Sequence, residues 1–196
     1  DDLHHITVYD SISGKKQFEE YRRYSDDVDY SLVERSEFYS SGELKSKIQY
    51  GTRSRINSAV VFNRSGEKVA GGTFDRYGDP IGLTTIYRSE SEVWTWDPKL
   101  SNDRYEINFK GRSGEAKVHD SSGVLIGEGA VEYLREMEMV EVGEWEYLYP
   151  SGNVKSIGTY SKGDKHGEWK QYKEDGSLNG VQVYQFGKLV EEKSAE

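Results

Sequence analysis

Cysteine is absent from this 196-residue chain, which excludes disulfides and thiolate metal sites. Stability has to come from packing, and the length suffices for one large domain or two small ones. No apolar run approaches the roughly 18 residues of a membrane-crossing helix. Positive charge is in deficit, with 26 Lys and Arg against 35 Asp and Glu and a net charge of -9. Sequence-general binding to DNA or RNA needs a basic footprint, so no nucleic-acid partner is expected, and anionic membrane surfaces are disfavoured for the same reason. The start at Asp1-Asp2-Leu3 has neither an initiator Met nor a signal-like apolar stretch. The expectation is a trimmed chain or a mature protein, with an exported location (periplasmic, envelope-associated or secreted) favoured over a cytoplasmic one.

Apolar residues make up only 34% of the chain, yet there are 15 Tyr and 4 Trp. That mixture fits thin sheets wet on at least one face, because Tyr buries its ring and leaves its hydroxyl in water. Segments rich in aromatic and β-branched residues also argue against disorder.

The strongest pattern is a 24-residue echo, Gly143–His166 followed by Gly167–Val190. Gly143/Gly167, Trp145/Trp169, Gly152/Gly176, Tyr160/Tyr184 and Gly163/Gly187 recur at one spacing. A period of this length marks a repeat architecture. Each unit reads as strand, tight turn, strand, turn: Pro150-Ser151-Gly152 and Glu174-Asp175-Gly176 are turn chemistry, and Trp145, Tyr147 and Tyr149 alternate with Glu144, Glu146 and Leu148. In this template Gly143 and Gly167 open strands, and His166 belongs to the turn before Gly167.

Upstream the identities fade and the offsets persist. Phe38, Gly42, Glu43 and Tyr50 return 24 residues later as Phe62, Gly66, Glu67 and Phe74, and the Gly-to-aromatic distance of eight equals that of Gly152 to Tyr160. Two units are degenerate: Thr84 stands in a Trp place with Ser91 for the turn Gly, and Ala116 stands in another between Gly114 and Gly123. The expected organisation is a divergent N-terminal hairpin or cap (1–32), degenerate repeats (33–92), an irregular insertion (93–113), repeats (114–190) and a charged tail (191–196). Tyr9 and Gly14 suggest a hairpin, with a short helix at 17–24 as the alternative. The segment 131–142 reads as an irregularly alternating strand.

The pattern G-E-W-x-x-Y-x-x-x-G-x-L/V, then an aromatic, then G-x-x-x-G-x-W, resembles the bacterial variant of the MORN repeat. Trp145, Tyr149, Gly152, Tyr160, Gly163, His166, Gly167, Trp169, Tyr172, Gly176 and Gly187 fall on it. The resemblance implies an all-β protein, an elongated and twisted antiparallel meander with one β-hairpin per repeat. Two strands at about 4.8 Å each advance such a sheet by roughly 10 Å per repeat. It also implies an interaction scaffold, some relatives being labelled antitoxins.

Candidate chemistry is sparse. His4 and His5 are adjacent, so on a strand they point to opposite faces and suit a metal poorly. His119 has only Asp120 beside it, and no G-x-S-x-G elbow is present. Gly71-Gly72 and Gly127-Glu128-Gly129 lack the lysine and helix of a phosphate loop and read as turns or bulges. Nine acidic residues from Glu115 to Glu146 face only Lys117 and Arg135, which reads as a solvated edge or face before it reads as a cation site. Trp94 and Trp96, at i and i+2, share a strand face and are the candidate ligand or partner patch, with core packing as the alternative. No catalytic residue, metal or cofactor emerges. The expected function is a non-enzymatic scaffold for a protein partner, the alternatives being a carbohydrate or cell-envelope module and an antitoxin-like partner of a toxin.

Overall fold

The computed structural model describes residues 2–25, 28–88, 94–95, 103–135 and 138–195. They form sixteen strands: β1 (Asp2–Tyr9), β2 (Lys16–Ser25), β3 (Val28–Phe38), β4 (Leu44–Tyr50), β5 (Ile56–Phe62), β6 (Lys68–Phe74), β7 (Pro80–Arg88), β8 (Trp94–Thr95), β9 (Asp103–Lys110), β10 (Ser113–His119), β11 (Leu125–Arg135), β12 (Glu138–Leu148), β13 (Val154–Ser161), β14 (Asp164–Tyr172), β15 (Leu178–Gln185) and β16 (Lys188–Ser194). All belong to one antiparallel sheet ordered as in the chain, except that β7 pairs onward with β9 and the two-residue β8 pairs back onto the end of β7. The expected all-β meander is therefore what the chain adopts. One 3-10 turn (Thr52–Ser54) joins β4 to β5, and no helix among the described residues is long and apolar enough to cross a membrane. The segment 17–24 lies in β2, not a helix, because Phe18–Tyr21 extends against both β1 and β3. Asp103–Lys110, irregular by its sequence, is an ordinary strand between β7 and β10.

Six hairpins use one turn. In Tyr39–Glu43, Asn63–Glu67, Asp75–Asp79, Asp120–Val124, Tyr149–Asn153 and Lys173–Ser177 the first N–H donates to the fifth carbonyl, and the fourth N–H donates to the first. The fourth residue is glycine each time, at φ between 82° and 108°, the left-handed position of a three-residue hairpin loop. The repeats are also stapled to one another: Tyr39 Oη donates to the Phe62 carbonyl (2.7 Å) and Tyr149 Oη to the Tyr172 carbonyl (2.9 Å), 23 residues on in both cases.

Gly143 and Gly167 do not open strands. Each sits inside one, at φ 66° and 70°, and with the following Glu forms a two-residue bulge: Gly129 pairs with Trp145 while Ala130 pairs with Val142, and Ile157 pairs with Lys170 while Thr159 pairs with His166. Gly82-Leu83 repeats the device in β7. His166 is accordingly a strand residue, and the turn before it is Lys162-Gly163. Bulges bend the strand that carries them, and the bends add up. Tyr133 of β11 donates to the carbonyl of Gly78, in the turn that leads into β7, at 3.2 Å. In a flat sheet those strands would lie about 14 Å apart, so the sheet curls.

The concave face is the core. Trp145, Trp169, Ile86, Ile107 and Val131 are fully buried there although the sheet is a single layer whose substantial strand contacts run only between hydrogen-bonded neighbours. The tryptophans explain how. Each indole lies on a glycine of the preceding strand, so close that a Cβ on Gly129 or Gly158 would come within 2.4 or 2.3 Å of the ring. Each indole N–H then donates to the carbonyl of the residue after that glycine, Ala130 (2.8 Å) or Thr159 (3.2 Å), where the bulge interrupts the ladder. Tyr160 and Tyr184 meet Trp169 edge-on at 5.1 and 6.4 Å, extending an aromatic row across β12 to β15.

Candidate functional site

The aromatic row stops at both ends by substitution. Counting seven residues back from the turn glycine, the Trp place holds Arg35 in β3, Ala59 in β5 and Ala116 in β10. Arg35 donates to Glu20 at 2.7 Å and lies over the Phe18 ring at 4.5 Å; Glu20, only 3% exposed, also takes Arg22 Nε at 2.9 Å. An ionic cluster thus replaces the indole. At the other end Gln182 stands where Gly158 stands one repeat earlier, leaving no seat for a ring. Its amide donates to Glu192 (2.8 Å) and accepts from Gln171 (3.3 Å) and Tyr184 Oη (3.0 Å). In the third bulged unit Thr84 occupies the Trp place against Gly72, too short to reach a carbonyl, and its buried hydroxyl has no hydrogen-bond partner among the described residues.

Within the core Tyr147 Oη lies 3.0 Å from Tyr160 Oη. Burial, reinforced by the Tyr160 hydroxyl and by Glu141, holds the Tyr147 phenol far above its ordinary range, so it stays protonated. Burial likewise lowers Lys165, whose ammonium sits 4.2 Å from the centre of the Trp169 ring. Both groups are partly buried against the aromatic row.

The open face is different. Strand register aligns Glu106, Lys117, Glu128 and Glu146 in one row over β9 to β12, each directly opposite the next. Glu115 lies beside that row, and Glu144 is lifted into it by the β12 bulge. With Leu83, Asn108, Gly129 and Ala130 these side chains line a groove of about 570 Å³. Glu106 is paired with Arg104 at 3.2 Å, while Glu115, Glu128, Glu144 and Glu146 form no ion pair among the described residues. Leu83, in the β7 bulge that interrupts the pairing with β6, is 64% exposed, and Ile81 is 52% exposed. From the acidic stretch Glu115 to Glu146, four residues, Glu115, Glu128, Glu144 and Glu146, thus share one patch of the open face, whereas Glu141 is buried.

Of the residues singled out by sequence, Trp145, Trp169, Tyr160 and Tyr184 join one row, Gly152 and Gly176 form equivalent turns, Gly163 and Gly187 form the two-residue turns opposite, and Gly167 makes a bulge. Trp94 lies in β8 opposite Arg88; its side chain and the whole of Trp96 lie outside the described residues, and so does the patch expected of them. His4 meets Tyr24 and His5 stacks on Tyr21, and no cluster of three or more metal-ligating side chains occurs among the described residues. The groove residues went unrecognised as a group because they are scattered over five strands, and only the register brings them together.

Three segments, residues 33–51, 141–162 and 165–185, match the MORN repeat variant. No curated protein matches it. Among solved structures, a Bacteroides fragilis protein of unknown function is similar over 98% of this chain and 93% of its own, at 8% identity and a TM-score of 0.14. The TcdB2-TccC3-TEV structure matches 91% of this chain with 11% of its own, at 11% identity and a TM-score of 0.16. Likenesses this faint carry no argument.

Proposed function

We propose that this chain is a non-enzymatic repeat scaffold that binds another protein through the open face of its sheet. The observation that carries the reading is the division of labour between the two faces. All the tryptophans whose side chains are described, Trp145 and Trp169, are sealed in the concave face, while the opposite face leaves a groove, four carboxylates and two large aliphatic side chains open to solvent. Repeat scaffolds commonly use such extended surfaces for recognition. Among the described residues the most strongly shifted phenol, Tyr147, packs against other aromatics.

The test is capture of partners from native lysate with the tagged chain, followed by hydrogen exchange on any pair recovered in stoichiometric amount. Protection of outward-facing segments in β9 to β12 supports the reading. Recovery of no stoichiometric protein, or protection confined to the turns, defeats it.

A further inference from the structure

We infer that the partner presents a basic polypeptide segment with an aliphatic anchor, and that this segment docks in the groove between Leu83 and Glu146; the inference rests on the scaffold reading above. Three features of the groove converge on that chemistry. First, it holds a charge that the chain does not answer: Glu115, Glu128, Glu144 and Glu146 have no cation at ion-pair distance among the described residues, and Lys117 is flanked by Glu106 and Glu128. Second, Glu128 and Glu146 face each other directly across β11 and β12. Like charges at such positions repel, and a guanidinium or ammonium placed between them would turn the repulsion into two attractions. Third, the charge is not the whole surface. At the β7 end Leu83 and Ile81 stand exposed, and the floor at Gly129 and Ala130 is small-chained, so a partner's apolar side chain finds a contact beside the carboxylates.

The dimensions select a peptide over a small cation. Four strand spacings from β7 to β12 span about 19 Å, the reach of roughly six extended residues. A lone metal ion would need converging ligands, and none converge among the described residues. Nucleic acid and anionic lipid are repelled by the same carboxylates.

The experiment uses the whole chain and fluorescein-labelled peptides of about eight residues, slightly longer than the groove: one alternating Lys with Leu, one Glu with Leu, and one Lys with Ser. The expected result is saturable binding of the Lys/Leu peptide, weakened roughly tenfold by the double substitution Glu128→Gln/Glu146→Gln, weakened by Leu83→Ser, and weakened in high salt. A matched removal of two charges elsewhere, Glu174→Gln/Glu191→Gln, should leave binding unchanged. Equal binding by the groove variant, an equal loss in the matched control, equal affinity for the Glu/Leu peptide, or no peptide binding would each overturn the inference. The two proposals fail separately. A stoichiometric lysate partner that the Glu128→Gln/Glu146→Gln chain still retains removes the groove and leaves the scaffold, whereas absence of any such partner removes the scaffold itself.

Discussion

Gly158→Ala is the most direct test of how a single-layer sheet keeps one face dry. A methyl group at this position would lie 2.3, 2.5 and 2.6 Å from three ring carbons of Trp169, where contacts of about 3.5–4.0 Å are normal. The ring would have to retreat by about 1.2 Å or more to restore such a contact. It has little room: Tyr160, Tyr147 and Tyr184 stand around it with ring centres at 5.1, 6.1 and 6.4 Å, and the indole N–H is held by the Thr159 carbonyl. Overpacking of this kind costs about 1–3 kcal/mol, and the rigidity of the surroundings places Gly158→Ala in the upper half of that range. For a chain of this size each kcal/mol is worth roughly 2–4 °C of melting temperature. Trp169→Ala alone should cost about 3–5 kcal/mol. The double variant decides the matter, because the new methyl fits the space the indole vacates and the two losses should fall short of additivity by about 1–3 kcal/mol. Scanning calorimetry on the four proteins completes the cycle without relying on the fluorescence that the substitution removes. Gly152→Ala is the contrasting control: nothing lies within 4 Å of its Cβ, and its cost of about 1–2 kcal/mol comes from a φ of 86° alone. Additive losses at Gly158 and Trp169, or a Gly158→Ala chain as stable as its parent, would refute the account.

Glu146→Lys should stabilise the fold by about 0.2–1 kcal/mol in urea titrations, since it replaces a like-charge pair with Glu128 by an opposite one. Arg35→Met should cost about 1–3 kcal/mol by removing a charge-assisted hydrogen bond from the buried Glu20, and calorimetry should show a smaller loss when Glu20→Met accompanies it. In Asp10, Asp120 and Asp175 the turn hydrogen bonds, led by the Ser13 backbone N–H in the first and by the Ser122 and Ser177 hydroxyls in the others, lower the carboxyl pKa below its ordinary 3.8. A depressed acid stabilises the fold above its unfolded-state pKa and loses that contribution as pH falls through the folded one. The three turns should therefore loosen together only below about pH 4, and carboxyl NMR titrations with ordinary midpoints would contradict this.

Much of the fold was legible because turn chemistry is local. A glycine eight residues before an aromatic identified Gly42, Gly66, Gly152 and Gly176 without reference to the rest of the chain, and all four occupy the same left-handed turn position. Gly143 and Gly167 were harder. A glycine two residues before a tryptophan looks like a strand's beginning, and only pairing with β11 and β13 reveals a bulge in a strand's interior. The ion pair of Arg35 was invisible because a charge in a Trp place looks like a lost repeat until Glu20 is found opposite it. The groove lay beyond sequence altogether. Glu106, Lys117, Glu128 and Glu146 are separated by 11, 11 and 18 residues, and the last interval is set by a strand junction and a bulge that no periodicity announces.

Strand order that follows chain order has a mechanical consequence. A pull on the two ends of this chain loads the outermost strands first, and each strand is gripped chiefly by its neighbours, so the sheet should unzip from its edges rather than rupture at once. The indole of one repeat rests on the strand before it and the tyrosine staple reaches into the repeat after, so hairpins, not single strands, are the units that let go. Each 24-residue unit released would lengthen the tether by roughly 80 Å. Under tension the protein would behave as an extensible spacer that pays out in even steps and rewinds from local contacts.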